Sequence, residues 1–308
     1  METAPFFETV MDGPPDGRAV WLTTSDGVRI RAGLWPEGTR GTVLIFPGRT
    51  EYVEKYSDAA RHFQAAGLAS VTVDWRGQGL TTRPQHDRML GHVNNYSEFQ
   101  RDVDALLALC GSEDLPRPYY LLAHSMGGLI GLGAVQDRTD FARVVFSSPL
   151  WGLPLPPHMR ILALTLSSAA AMLRMGEQGA PASGKNADPA GQPFEGNLLT
   201  NDPEMFAWMK RQITEHPDLA LGAPTLGWLW ATFREMHHRA RQAAPAIPCL
   251  TLLGSDEDIV DPDAIHVRMG SWPGSRLEMV PGGRHETLME DAATRGRLYD
   301  QIIAHFLD

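Results

Sequence analysis

Two rhythms of apolar and polar positions organise the chain. Residues 19–24 (AVWLTT) and 28–34 (VRIRAGL) are strand-like runs parted by Ser25-Asp26-Gly27, whose glycine accepts positive φ, and they predict an antiparallel hairpin. Continuous apolar runs follow at 42–46 (TVLIF), 69–75 (ASVTVDW), 119–124 (YYLLAH) and 142–148 (ARVVFSS). Runs without alternation suit strands covered on both faces. Between them lie helix-like stretches: 52–66, with Val53, Tyr56, Ala60 and Phe63 on one face, then 97–109 and 126–136. Strand and helix in turn imply a parallel sheet. From residue 151 to 239 the rhythm stops, in a stretch rich in Leu, Met, Trp and Pro with a loop-like middle at 179–193. It resumes with strands at 249–255 and 276–281 and a last helix at 293–307. The pattern predicts an α/β core of residues 1–150 and 240–308, a mostly parallel sheet of eight strands flanked by helices. Residues 151–239 are expected to form a helical cap between the sixth and seventh strands.

Composition narrows the function classes. With 308 residues, 43% apolar and 21% charged, the chain has the makeup of a soluble globular protein that buries a sizeable core. The formal net charge of -10, without a run of Lys and Arg, argues against nucleic acid and against a polybasic membrane patch, and favours small-molecule chemistry. Cys110 and Cys249 sit among aliphatic residues, as reduced buried thiols do. Residues 1–17 lack a basic segment followed by an apolar run, so a cytoplasmic location is expected. The most apolar stretch, 161–173, is too short to span a bilayer and holds Ser167 and Ser168, which fits a core or lid helix.

The chemistry concentrates at LLAHSMGGLI, residues 121–130, where Ser125 follows the fifth predicted strand and opens a helix. This matches the strand-turn-helix elbow G-x-S-x-G except that Ala123 replaces the first glycine, and small size is what the crossing needs. A serine hydroxyl becomes a nucleophile when a histidine accepts its proton and a carboxylate orients that histidine. In elbow hydrolases the acid and histidine follow on loops after late strands, and here those loops read GSDEDIVD and PGGRHE. His285 is the candidate base. Asp256, Glu257 and Asp258 are all candidate acids: Glu257 ranks first, third after the strand-ending Gly254 and followed by the apolar pair Ile259-Val260, then Asp256, then Asp258. Oxyanion donors are expected from the backbone N–H of Met126, after the serine, and of Arg49, in the Pro47-Gly48 turn after the third strand. His124 should diverge from the serine, and His237 and His238 are placed on the surface of a cap helix.

Together the stretches FPGRTEYVEKY, DWRGQGLTTRP, GHVNNYSEF, LLAHSMGGLIGL, GSDEDIVD and PGGRHETLME resemble the α/β-hydrolase superfamily, and within it the lysophospholipase L2 and monoacylglycerol lipase group. The resemblance implies Ser125 as nucleophile, His285 as base and Glu257 as acid, where the family more often has aspartate. It also implies a substrate with a long or medium acyl chain. Two further departures are Pro47, where the family has a histidine before the glycine, and Trp75, in place of a histidine before Arg-Gly-Gln-Gly. Arg49 adds a cation, for which an outward salt bridge to Glu51 is preferred over contact with an anionic substrate group. Arg76, Gly77 and Gly79 fit a structural turn better than a phosphate loop. No spacing suggests a metal or another cofactor. The cap's large apolar residues should mostly pack on the sheet's edge, with a minority lining an acyl slot. The function so implied is a serine hydrolase that cleaves carboxylic esters through an acyl-enzyme, acting on a small-molecule acyl ester with room for transient contact with a lipid surface. The alternatives are a thioesterase or acyltransferase on the same triad, and a degenerate hydrolase fold that binds a lipid or partner without turnover. Serine rather than aspartate at 125 argues against dehalogenases and epoxide hydrolases.

Overall fold

Alternate side chains of the central strands enter opposite layers, and this builds the core of the computed structural model, which describes residues 1–83, 87–180 and 191–308. In β4 (Thr42–Phe46) Leu44 and Phe46 join one apolar cluster and Val43 and Ile45 the other; in β6 (Tyr119–His124) Leu121 and Ala123 part from Tyr120 and Leu122 in the same way. Each fully buried Val, Leu, Ile or Phe among them contributes about 1.5–3 kcal/mol. Helix α1 (Ser57–Ala65) and the C-terminal α8 (Ala292–Leu307) cover one face through Phe63, Tyr299 and Phe306. On the other face lie α2 (Ser97–Ser112), α3 (Met126–Asp137) and α7 (Pro262–Gly270). Cys110 and Cys249 are both buried and free, and burial pushes each thiol up to about 12.

The remaining strands are β1 (Glu2–Thr3), β2 (Arg18–Thr23), β3 (Arg29–Trp35), β5 (Ala69–Asp74), β7 (Phe141–Ser147), β8 (Cys249–Gly254) and β9 (Arg276–Val280). The sheet order is β1-β2-β3-β5-β4-β6-β7-β8-β9, antiparallel up to the β3–β5 pair and parallel beyond it. All eight expected strands are present, and the sheet has nine because β1 adds an edge. Two exposed residues are too short to show any period, so that strand leaves no sequence signal. The chain leaves β4 to one side through α1 to β5 and returns to its other side through α2 to β6, which makes the carboxyl ends of β4 and β6 the switch point where α/β sheets bind ligands.

Between β7 and β8 stand α4 (Pro157–Met172), α5 (Pro203–Glu215) and α6 (Leu226–Ala240). Most of the loop-like stretch expected at 179–193 lies outside the described residues. The expectation that apolar residues here pack on the sheet's edge fails for α4. That helix packs on α6 and leaves Ile161, Leu162 and Leu166 exposed, with Met172 at 78% and Leu173 at 70% just at its end. Among the described residues no helix is long and apolar enough to cross a membrane.

Candidate active site

Strand β6 runs straight into α3 through Ser125, at φ 50° and ψ −118°, a conformation that costs a non-glycine residue strain and points its side chain out of the sheet. The turn is held on both sides: Ser125 N–H donates to Ser147 O at 3.1 Å, and Ser125 O accepts from the N–H of Gly128 at 2.8 Å and of Leu150 at 2.9 Å. Closeness explains the glycine after Met126. A Cβ on Gly127 would lie 2.1 Å from Phe46 O and 2.5 Å from Pro47 O. Ala123 is fully buried, and a Cβ on Gly131 would meet its methyl at 3.0 Å, so α3 supplies the room that a glycine at 123 would otherwise give.

His285 is carried by the turn after β9. Its Nδ1 lies 2.8 Å from Glu257 Oε2, and Glu257 Oε1 accepts from the N–H of Ile259 at 2.7 Å and of Val260 at 3.0 Å. Burial pushes the Glu257 carboxyl up, but the bonds from His285, Val260 and Ile259 outweigh it and hold the group below its ordinary value. The neighbours point elsewhere: Asp256 and Asp258 are both exposed, and the Asp256 carboxylate accepts from the Ser255 hydroxyl at 2.9 Å. With Nδ1 donating to the carboxylate, Nε2 is the nitrogen left to take a proton. Ser125 and His285 both open on a cavity of about 320 Å3, and the serine hydroxyl has no hydrogen-bond partner among the described residues. Met126 N–H opens α3, where no intrahelical acceptor exists for it. Among the described residues Arg49 N–H has no partner either, and both residues line the same cavity.

A buried ionic cluster, which the sequence reading missed, adjoins this pair. Glu51 and Glu286 both grip the Lys55 ammonium, the second at 2.5 Å; Glu51 also accepts from Gly48 N–H and, at 2.5 Å, from the Tyr56 hydroxyl. His124 diverges from Ser125 as expected, placing Nδ1 3.0 Å from Ser147 O and Nε2 3.4 Å from Glu286 and 3.6 Å from Glu51. Burial works against a charge on His124, yet Glu286 and Glu51 outweigh it and raise its pKa; Glu286 is held well below its ordinary value by His124 and Lys55 against the same burial. Glu51, His124 and Glu286 converge as three metal ligands would, but Lys55 already occupies the cation's place between the carboxylates. Sequence carries two traces of the cluster: the i,i+4 spacing of Glu51 and Lys55, and a glutamate directly after His285.

The expected salt bridge between Arg49 and Glu51 is absent. Thr50, at φ 71°, turns the chain between them, and Arg49 reaches away to donate to Gly222 O at 2.5 Å and lies over the Trp228 ring at 5.5 Å. Arg76 is structural, bonded to Asp102 and Asp26. His237 and His238 lie on α6. Apolar lining comes from the inserted helices, with Phe206, Met209 and Ile213 from α5 and Trp228 from α6.

A mostly parallel sheet with a strained serine elbow at its switch point defines an α/β-hydrolase. A family model described as serine aminopeptidase, S33, matches residues 37–292, and the chain belongs to that family. It is similar to lysophospholipase L2 of Escherichia coli strain K12, at 29% identity over 277 residues covering 86% of this chain and 79% of that protein. It is also similar to the monoacylglycerol lipase of Mycolicibacterium smegmatis, at 27% identity with 86% and 88% covered. Among solved structures, a soluble variant of monoglyceride lipase from Saccharomyces cerevisiae in complex with a substrate analogue shares the fold, with a TM-score of 0.73 at 19% identity over 98% of this chain and 99% of that one.

Proposed function

We propose that this protein is a carboxylic ester hydrolase that works through an acyl-enzyme on Ser125, with a long or medium acyl ester of the lysophospholipid or monoacylglycerol type as substrate. Ser125 Oγ attacks the ester carbonyl carbon while His285 Nε2 takes the hydroxyl proton; Glu257 fixes the tautomer and balances the imidazolium. The N–H groups of Met126 and Arg49 receive the oxyanion. Collapse expels the alcohol with the proton from His285, and water, activated by the same nitrogen, then releases the fatty acid and restores the serine. The observation that carries this reading is the 2.8 Å contact between His285 Nδ1 and a fully buried Glu257 carboxylate, opening on the cavity that holds a strained, unbonded Ser125.

Residues 151–239 act as the cap, supplying the apolar wall for the acyl chain, and the exposed apolar side chains of α4 suit transient contact with a lipid surface. The family's description names an aminopeptidase, which needs a carboxylate for the substrate's ammonium. Here the two carboxylates that line the cavity, Glu51 and Glu286, are both engaged by Lys55, so the site favours esters. The test is a hydrolysis panel of lysophospholipids, monoacylglycerols, short aryl esters and an aminoacyl anilide, combined with fluorophosphonate labelling. Wild type should be labelled at Ser125 and cleave the esters, while Ser125→Ala should do neither. Ester cleavage undiminished in Ser125→Ala would reject the reading.

A further inference from the structure

The chain carries a formal net charge of -10, yet the cavity beside Ser125 has cations to spare. Arg49, Lys55 and Lys210 line it together with Glu51 and Glu286. Both carboxylates are bound to Lys55 and face His124, and among the described residues Arg49 and Lys210 have no acidic partner. Lys210 donates to Gln192 O at 2.8 Å. Arg49 is the more exceptional. It lies on the wall formed by Trp228 and Gly91, its Nε is buried with no hydrogen-bond partner, and its one bond goes to the neutral carbonyl of Gly222. Loss of water brings its pKa down to about 10, which leaves it charged at neutral pH.

A guanidinium with no acidic partner, and with its Nε cut off from water, gains when an anion joins it. A protein retains such a group where a ligand completes the pair, and guanidinium suits phosphate and carboxylate geometry. We infer that Arg49, supported by Lys210, is the specificity-determining cation of this site, and that it takes an anionic group, with phosphodiester as the best fit, on the alcohol side of the ester. Resting on the acyl-ester reading above, the inference adds a preference: with the same acyl chain, an anionic ester is cleaved ahead of a neutral one.

The experiment compares kcat/KM, below micelle formation, for lysophosphatidylglycerol, lysophosphatidylcholine and monoacylglycerol of one acyl chain length, in wild type, Arg49→Gln, Arg49→Lys and Lys210→Gln. Wild type should prefer lysophosphatidylglycerol to monoacylglycerol by at least tenfold. Arg49→Gln should lower that ratio by about 10- to 100-fold, the worth of a hydrogen bond to a charged group. Arg49→Lys should keep most of the ratio, and Lys210→Gln should lower it less. Because a ratio is read on one preparation, damage shared by all substrates cancels. Should Arg49→Gln fail to fold, inhibition of wild-type monoacylglycerol cleavage by dodecyl phosphate against dodecanol replaces it, with phosphate expected to be the stronger by tenfold or more. Equal turnover of anionic and neutral esters by wild type, a ratio unchanged within twofold in Arg49→Gln, or equal inhibition would each overturn the inference. Esterase activity that is lost in Ser125→Ala would stand through any of these results, so the two failures are distinguishable.

Discussion

Replacing Glu257 by glutamine isolates one proton. The carboxylate accepts three hydrogen bonds, with Oε2 facing His285 Nδ1 at 2.8 Å and Oε1 taking the N–H groups of Ile259 and Val260 at 2.7 and 3.0 Å. Glutamine has the same shape but only one acceptor oxygen. Turned toward the backbone, that oxygen keeps both N–H bonds and sets its amide NH2 against Nδ1, so the imidazole must carry its proton on Nε2. Turned the other way, it serves Nδ1 and sets NH2 against two donors, leaving two buried N–H groups unpaired at about 1–3 kcal/mol each. The first orientation wins by roughly that margin, and Nε2 then has no lone pair for the serine proton. The same wrong-tautomer substitution in the serine protease triad lowers kcat about 10⁴-fold, and we expect Glu257→Gln to lose 10³- to 10⁴-fold here. Stability should stay close to wild type because both backbone bonds survive. The assay is hydrolysis of a short aryl ester beside Asp256→Asn and Asp258→Asn, whose exposed carboxylates face solvent and should stay within about twofold. Glu257→Gln within tenfold of wild type, or Asp256→Asn losing more than it, would refute the tautomer argument.

Four further outcomes follow from the structure. A Cβ on Gly127 meets the Phe46 and Pro47 carbonyls at 2.1 and 2.5 Å, so Gly127→Ala should cost about 2–3 kcal/mol and lower kcat by shifting the turn that carries Arg49. Gly111→Ala, with nothing within 4 Å of its Cβ, should be neutral or stabilising in the same thermal melt. His124, raised above its ordinary 6.5 by Glu286 and Glu51, contributes stability that is full below about pH 6.5 and is lost as pH rises through its folded value. Glu286, held below 4.5, contributes stability present above that value and lost as pH falls through its lowered one. Tm measured from pH 5 to 9 should therefore fall more steeply with pH in wild type than in His124→Gln, and parallel curves would refute the cluster's charge state. Trp75→Phe removes the indole N–H that Pro47 O accepts at 2.9 Å and should lose about 1–3 kcal/mol in denaturant unfolding together with a drop in kcat.

Local signals were legible in the sequence, and long-range ones were not. Apolar runs marked eight strands because strands buried on both faces cannot hide their composition, and the elbow at Ser125 declared itself through small residues forced by a crossing. The strand-ending Gly254 led to Glu257 rather than to either neighbouring aspartate, and it is Glu257 that lies against His285. The ionic cluster stayed hidden because Lys55 and Glu286 are 231 residues apart and only the fold joins them. Arg49 was misread for a local reason. Proximity in sequence suggested Glu51, but Gly48 N–H, Tyr56 and Lys55 already hold that carboxylate and the left-handed Thr50 sends the arginine the other way. The exposed apolar face of α4 was misjudged because composition reports hydrophobicity and not which surface covers it.

The departures from the family pattern at Pro47 and Trp75 weigh differently once their positions are known. Taken singly, each removes a histidine near the site and alters its rim, and the loss at Pro47 favours a fold that binds without turnover. In space they meet: Trp75 is fully buried, packs edge-on against Phe46 at 5.1 Å and Phe99 at 5.8 Å, and donates its indole N–H to Pro47 O. Pro47 has its φ fixed by its ring, and its carbonyl leaves no room for a side chain at Gly127 of the elbow. The following residue is fixed as well, since Gly48 N–H is held by the buried Glu51, which Lys55 and Tyr56 hold in turn. The backbone leading to Arg49 N–H is thus clamped by a strand, a helix and the ionic cluster. Among the described residues that N–H has no hydrogen-bond partner, and Arg49 lines the cavity. A chain that had abandoned catalysis would have no reason to hold this turn so rigidly against the Ser125 elbow. The paired departures therefore favour a working hydrolase over a degenerate one.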